Sequence, residues 1–183
     1  MRGTFSLPLF PLDVVLVPGE RLPLHIFEER YRLMIRYCLE TDEPFGVVYE
    51  PEDGEMATVG CSAHIQQVIE EYEDGRFDIL TRGDNRFRIT QIYHQRAYMT
   101  ADVEPVEEHR EHVRSEVRER VITQHMKLME LAGETIRPNI YEGRPRVSFV
   151  LAHNAGLSLE QKQRLLEMNS ENERLEYLVS HLA

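Results

Sequence analysis

His109-Arg110-Glu111-His112 is the only close pair among the eight histidines of this 183-residue chain, and so the one spacing that suggests a metal. On a helix, positions i and i+3 share a face, and Glu108 would add an oxygen to two imidazoles, a donor set that suits zinc. The pattern is not His-Glu-x-x-His, and a solvated helix start accounts for the same residues, so no metal or cofactor is expected. Lys127 and Lys162 are the only lysines. Neither follows a glycine or precedes a serine or threonine, as a phosphate-binding loop requires. Both lie in polar helical surroundings, unlike the desolvated lysine of a Ser-Lys protease. No Gly-x-Ser-x-Gly nucleophile elbow occurs. Cys38 and Cys61 form no Cys-x-x-Cys pair, and each falls within an apolar element where buried, inert thiols are common. The chain reads as a non-enzyme.

The remaining polar candidates have plain structural readings. His25, beside Phe27 in an apolar strand, is expected to be a hydrogen-bonded structural histidine. Arg82-Gly83-Asp84 reads as a turn, and Glu50 to Glu55 as a solvated acidic one. Tyr31, Tyr49, Tyr72, Tyr93 and Tyr98 fall on or beside apolar elements and should serve packing. Tyr141, on a Gly/Pro-rich loop, is the exception.

Charge narrows the classes further. The formal net charge is −11 and the pI about 5.2. Nucleic acids and anionic membranes need clustered Lys and Arg to release counterions, so neither is an expected partner. No apolar stretch of about 7 to 15 residues precedes a cleavage site near Met1 and Arg2, and no window approaches the roughly 18 apolar residues of a membrane span. Cytoplasm is the expected compartment.

Among the elements that carry these residues, Phe5 to Leu9 and Leu22 to Ile26 read as strands joined through Pro18-Gly19. Pro8, Pro11 and Pro23 should lie at strand ends or edges, because proline cannot donate to a central ladder. Phe27 to Glu40 has helical periodicity, with Phe27, Tyr31, Met34, Ile35 and Cys38 as its apolar stripe. Phe45 to Tyr49 is a third strand. Ala57 to Tyr72 is a long one with a bulge expected at Gly60. Asp74-Gly75 suggests a type I′ hairpin into Phe77 to Thr81. Gly83-Asp84 turns into Arg86 to Tyr93, and Tyr98 to Val103 is the last strand. Six or seven strands with one early helix make a small twisted, mostly antiparallel barrel or sandwich.

From Val106 to Leu131 there is no Gly or Pro and the charge is dense, which reads as one long helix with Glu107-Glu108 at its positive end and Gly133 as its stop. Gly133 to Pro145, around Ile136, Ile140 and Tyr141, reads as a mobile loop. Val147 to Asn154 is a short helix. Ser158 to Gln161 and Ser170 to Glu173 match the capping box and place two further helix starts near Leu159 and Glu171. The expected fold class is therefore α+β: a β subdomain at 1–105 and an α-helical subdomain at 106–183 packed on it.

Three blocks together resemble one family. FPLDVVLVPGERLPLHIFEERYRLMI at Phe10 to Ile35, Thr58-Val59-Gly60-Cys61, and LTRGDNRFRI at Leu80 to Ile89 occur in the order found in the Lon protease N-terminal, substrate-binding domain. LSLEQKQRLLEMNSENERLEYL at Leu157 to Leu178 is similar to the helices that follow in that family. Glu29 departs from the pattern, where proline is expected after His-Ile-Phe-Glu. The resemblance implies a pseudobarrel similar to the PUA domain followed by a helical bundle. It also implies recognition without catalysis, since ATP hydrolysis and peptide cleavage reside in other domains of Lon. The expected partner is unfolded or exposed apolar polypeptide, together with a separate protease or chaperone, in an adaptor or regulator role in protein quality control. Candidate contacts are Val17 and Pro18 in the first turn and Ile140 and Tyr141 in the long loop. A PUA-like RNA-binding module is the alternative, with Arg82, Arg86, Arg88 and Arg96 as its patch.

Overall fold

The computed structural model describes residues 3–135 and 137–182. The chain divides into two compact units between Val106 and Glu107. The first holds six strands, β1 (Phe5–Leu12), β2 (Arg21–Ile26), β3 (Phe45–Tyr49), β4 (Val59–Glu71), β5 (Phe77–Tyr93) and β6 (Thr100–Pro105), and one helix, α1 (Glu29–Thr41). The second holds α2 (Ser115–Leu131), α3 (Val147–His153), α4 (Leu159–Glu167) and α5 (Glu171–His181), with a 3-10 turn at Pro138–Tyr141. The fold is α+β.

The sheet runs β2-β5-β4-β3-β1-β6, and β6 pairs back onto β5, so five strands close a barrel and β2 extends it at one side. Closure depends on the length of β5. On the side away from β4, its first part pairs with β2 (Ile26↔Phe77 to Arg21↔Arg82) and its last part with β6 (Phe87↔Pro105 to Tyr93↔Thr100). All ladders are antiparallel except β1 on β3. Along β1, Leu7 and Leu9 enter one apolar cluster with Phe87, Ala101 and Val103, while Phe10 enters another, as a period of two requires. The second cluster is closed by α1, whose buried Tyr31, Met34, Ile35 and Cys38 lie among Phe45, Phe77 and Ile79.

Several local expectations need correction. Gly83-Asp84 is no turn: β5 runs through it without a break. Glycine is required there by close approach, because a Cβ would lie 2.4 Å from the Val17 carbonyl oxygen. Gly60 serves the same purpose against the Val47 carbonyl, and the β4 register shifts fall later, at Cys61/Ala63, Ile65/Gln67 and Val68/Glu70. Asp74-Gly75 is not type I′, since only Gly75 has positive φ. Bonds from the Tyr72 N–H to Arg76 and from the Gly75 N–H to Tyr72 instead close a three-residue loop, whose bulge glycine is Gly75. Pro23 sits in the edge strand as expected, but Pro8 and Pro11 lie inside β1. That strand tolerates them because Phe5 to Pro8 pair only with β6 and Leu9 to Leu12 only with β3.

Phe27 does not join the α1 stripe; the helix begins at Glu29 and Phe27 is 62% exposed. The long second-unit helix begins at Ser115, not Val106. Residues 106–114 form neither helix nor strand, and their backbone bonds go elsewhere: the His109 N–H donates to the Asn169 carbonyl, the Arg114 N–H to Asn172 Oδ1, and Asn172 Nδ2 to the His112 carbonyl. At its far end α2 stops as expected. Gly133 has φ +75°, and N–H groups of Gly133 and Glu134 reach back to Glu130 and Met129 in a Schellman arrangement. Both capping serines hold, at α4 with the full reciprocal box and at α5 through the Ser170 hydroxyl accepting from the Glu173 N–H.

The helical unit encloses a buried ion cluster. Arg174, fully buried, ties Glu108 to Glu171, donates to the Ser148 hydroxyl at 2.9 Å and lies 4.5 Å over the Phe149 ring. Glu171 in turn accepts from the Ser148 backbone N–H at 3.0 Å.

Candidate functional site

The histidine pair makes no metal site. Residues 106–114 form no helix, so positions i and i+3 do not share a helical face, and Glu108 is engaged by Arg174. Among the described residues no group of three or more His, Cys, Asp or Glu is placed to hold an ion. Cys38 and Cys61 are both buried, and desolvation pushes their thiols up, Cys38 to about 12, so neither forms a thiolate near neutral pH.

The arginine patch does not assemble as one surface. Arg86 is 4% exposed, inside the barrel wall. Arg96 donates to the Tyr98 hydroxyl at 3.1 Å and lies 5.1 Å over the Tyr37 ring, leaving Arg82 and Arg88 as the exposed pair on β5.

The four candidate contacts divide. Val17 is fully buried, correcting its expected place at the surface, and Pro18 is half-buried. Their turn is rigid: the Glu20 N–H bonds to the Val17 carbonyl at 3.1 Å, Glu20 Oε2 accepts from the Val17 N–H, and Gly19 has φ +85°. It is also docked on β5, where the Gly19 N–H donates to the Gly83 carbonyl and the Gly83 N–H to the Glu20 carbonyl, each at 2.8 Å. Tyr141 is 4% exposed, not displayed on a loop, and Ile140 is half-buried. Two residues of α2 hold Tyr141: Arg118 Nη2 donates to its carbonyl at 2.7 Å, and its hydroxyl lies 2.8 Å from His125 Nδ1. Ile136, on the same loop, lies outside the described residues.

An exposed aromatic surface lies instead on the outer face of β2, β5 and β4. Strand alternation buries Ile26 and turns His25 outward, with Phe27 exposed just beyond the strand. The same alternation buries Phe77 and Ile79 and leaves Asp78 between them, opposite His25 on one side and Glu70 on the other. Asp78 orients two rings. Its Oδ1 lies 2.6 Å from His25 Nδ1, and its Oδ2 accepts from the Tyr72 hydroxyl at 2.6 Å. Those two bonds hold the Asp78 carboxyl below the usual carboxylate range, and the hydrogen bond between Tyr72 and Asp78, ahead of desolvation and the Asp78 charge, pushes the Tyr72 phenol up to about 12. Phe27 stacks on His25 with ring centres 5.9 Å apart, and Tyr72 meets the same imidazole edge-on at 6.1 Å. The result is a fixed row of three rings. On the neighbouring part of β4, Val68 and Ile69 are 37% and 57% exposed. The β4 register shift between Val68 and Glu70 falls at these residues, a bulge that interrupts regular alternation there.

Sequence reasoning placed His25 as hydrogen-bonded and beside Phe27, but missed that both face outward and that Asp78 orients the group. The legible signal was the alternation His25-Ile26-Phe27 against Phe77-Asp78-Ile79, the first turning two rings outward around a buried residue and the second one carboxylate between buried residues.

Residues 6–183 match the family model for the ATP-dependent protease La (LON) substrate-binding domain. The chain belongs to the Lon substrate-binding domain family. It is 28% identical to the Lon protease of Escherichia coli strain K12 over 193 residues, covering 96% of this chain, and 26% identical to that of Buchnera aphidicola over 191 residues. The chain spans about a quarter of the length of these relatives, 24% in each case. Among solved structures, the Lon N-terminal domain protein from Xanthomonas campestris superposes with a TM-score of 0.74 at 29% identity, covering 96% of this chain and 98% of that one. The N-terminal domain of the Mycobacterium avium complex Lon protease has a TM-score of 0.70 at 22% identity, covering 97% and 98%, and so shares the fold. Within this Lon-type domain the aromatic row lies wholly in the first unit. Among the described residues no helix is long and apolar enough to cross a membrane.

Proposed function

We propose that this chain is a non-catalytic recognition module for unfolded or exposed apolar polypeptide, acting in the cytoplasm as an adaptor or regulator in protein quality control beside a separate protease or chaperone. The observation that carries this reading is the match to the Lon substrate-binding domain over nearly the whole chain. The aromatic row gives it a surface. His25 and Tyr72 are already oriented by Asp78 and Phe27 stacks on His25, so a ligand would meet a reduced cost in fixing side chains. Extended or loosely structured peptide fits such an open sheet face better than a small molecule, which needs a concave pocket. Of the sequence-derived contacts, Pro18 and Ile140 stay in the proposal as partly exposed residues. Val17 and Tyr141 act as supports beneath them.

The test is a titration of isotopically labelled chain with a permanently unfolded, reduced and alkylated protein, followed by amide shifts. Shifts centred on His25, Phe27, Val68, Ile69 and Tyr72 are expected, and Phe27→Ala should weaken binding about tenfold, as loss of an aromatic anchor does. An unresponsive spectrum at high micromolar ligand would overturn the reading.

A further inference from the structure

Resting on that reading, we infer that the aromatic row selects cationic apolar segments, stretches in which Lys or Arg neighbours an aromatic or aliphatic residue. The argument is the state of the charges around the rings. The arginines nearest the rings are already engaged, while Arg21 and Arg82 lie further along the same strands: Arg30 pairs with Glu28 at 3.1 Å, Arg76 with Asp74 at 2.7 Å while lying over Tyr72, Arg36 approaches Glu71 at 3.9 Å, and Arg32 donates to the Asp74 carbonyl. The acids are in excess. Glu29, Glu70 and Glu73 are exposed and have no ion-pair partner among the described residues. Glu29 is two residues from Phe27, Glu73 follows Tyr72, and Glu70 faces Asp78 across the ladder, close enough that its charge raises the Tyr72 phenol.

A neutral apolar segment would leave these three carboxylates unmatched, and an acidic one would be repelled. A basic side chain gains twice, by pairing with a carboxylate and by lying over the free face of Phe27, 62% exposed, where a ring attracts a cation. The net charge of −11 adds long-range steering of the same sign.

Three peptides of about a dozen residues, sharing one Phe/Leu core and flanked by Lys/Arg, Ser or Glu, test this by fluorescence anisotropy at low and high salt. The basic peptide should bind about five- to tenfold more tightly than the Ser peptide, the sum of three modest surface pairings, and salt should erase most of the difference. Glu29→Gln/Glu70→Gln/Glu73→Gln should bring the basic peptide to the Ser peptide's affinity and leave the latter unchanged. Phe27→Ala should weaken both. Equal affinities for all three peptides, or a charge preference that survives the triple substitution, would overturn this inference and leave the recognition reading intact. No binding of any peptide would overturn both. Basic-peptide binding that ignores Phe27→Ala would place it elsewhere and also refute the inference.

Discussion

The Tyr141 hydroxyl lies 2.8 Å from His125 Nδ1, two groups separated by 16 positions and both buried. This bond, with Arg118 on the Tyr141 carbonyl, ties the 3-10 turn to α2. Burial lowers the pKa of His125 below the ordinary histidine value. The unfolded chain therefore takes up a proton at about pH 6.5, before the folded chain does, and stability is lost as pH falls below that value. Melting temperature measured between pH 8 and pH 5 should fall on acidification, and His125→Gln should flatten that part of the curve. Tyr141→Phe should cost about 1 kcal/mol at pH 8, the worth of one hydrogen bond. A wild-type profile that stays flat down to pH 5 contradicts the assignment.

Glu111 gives a second, separate acid transition. It accepts from the Ser170 hydroxyl and, at 3.2 Å, from the Asn172 N–H at the start of α5, which lowers its carboxyl to about 2 from the ordinary 4.5. Its contribution is present above pH 4.5 and disappears as pH falls from there toward 2. Helical content followed by circular dichroism over that window should decline less steeply in Glu111→Gln than in the parent, measured from each protein's own neutral value.

Arg174→Met should be among the most damaging single changes. It leaves Glu171, 4% exposed, as a buried carboxylate without its cation, at a cost of about 3 to 5 kcal/mol. Urea denaturation measures the loss, and Arg174→Met/Glu171→Gln should recover part of it. A single-variant loss below about 1 kcal/mol would mean that the cluster is no more than a surface pair.

Gly83→Ala should destabilise the first unit by about 1 to 3 kcal/mol, because the new methyl meets the Val17 carbonyl oxygen and the Leu16 side chain. Gly19→Ala tests a different cause. Its Cβ would meet nothing within 4 Å, so the cost, about 1 kcal/mol, comes from φ +85° alone. Denaturation midpoints of the two variants should rank in that order.

Periodicity along the chain was enough to place β3, the buried stripe of α1 from Tyr31 to Cys38, the glycine stop of α2 and the serine starts of α4 and α5. Each is set by residues within one turn or one strand of each other, so the signal is local. The absence of nucleotide-binding and nucleophile motifs was likewise legible, as was the order of blocks that marks the Lon family. What the sequence could not decide were the features whose cause lies far along the chain. Gly83 looks like a turn until the Val17 carbonyl, 66 positions away, is seen against it. Residues 106–114 look helical until Asn169 and Asn172, just before and at the start of α5, take their backbone bonds. Tyr141 looks like a ligand contact until His125 and Arg118 claim it, and His25 looks internal until pairing with β5 fixes which face is outside. Local pattern sets which backbone shape each segment favours. Only the packed structure decides which side of it meets water, because that depends on partners the segment does not contain.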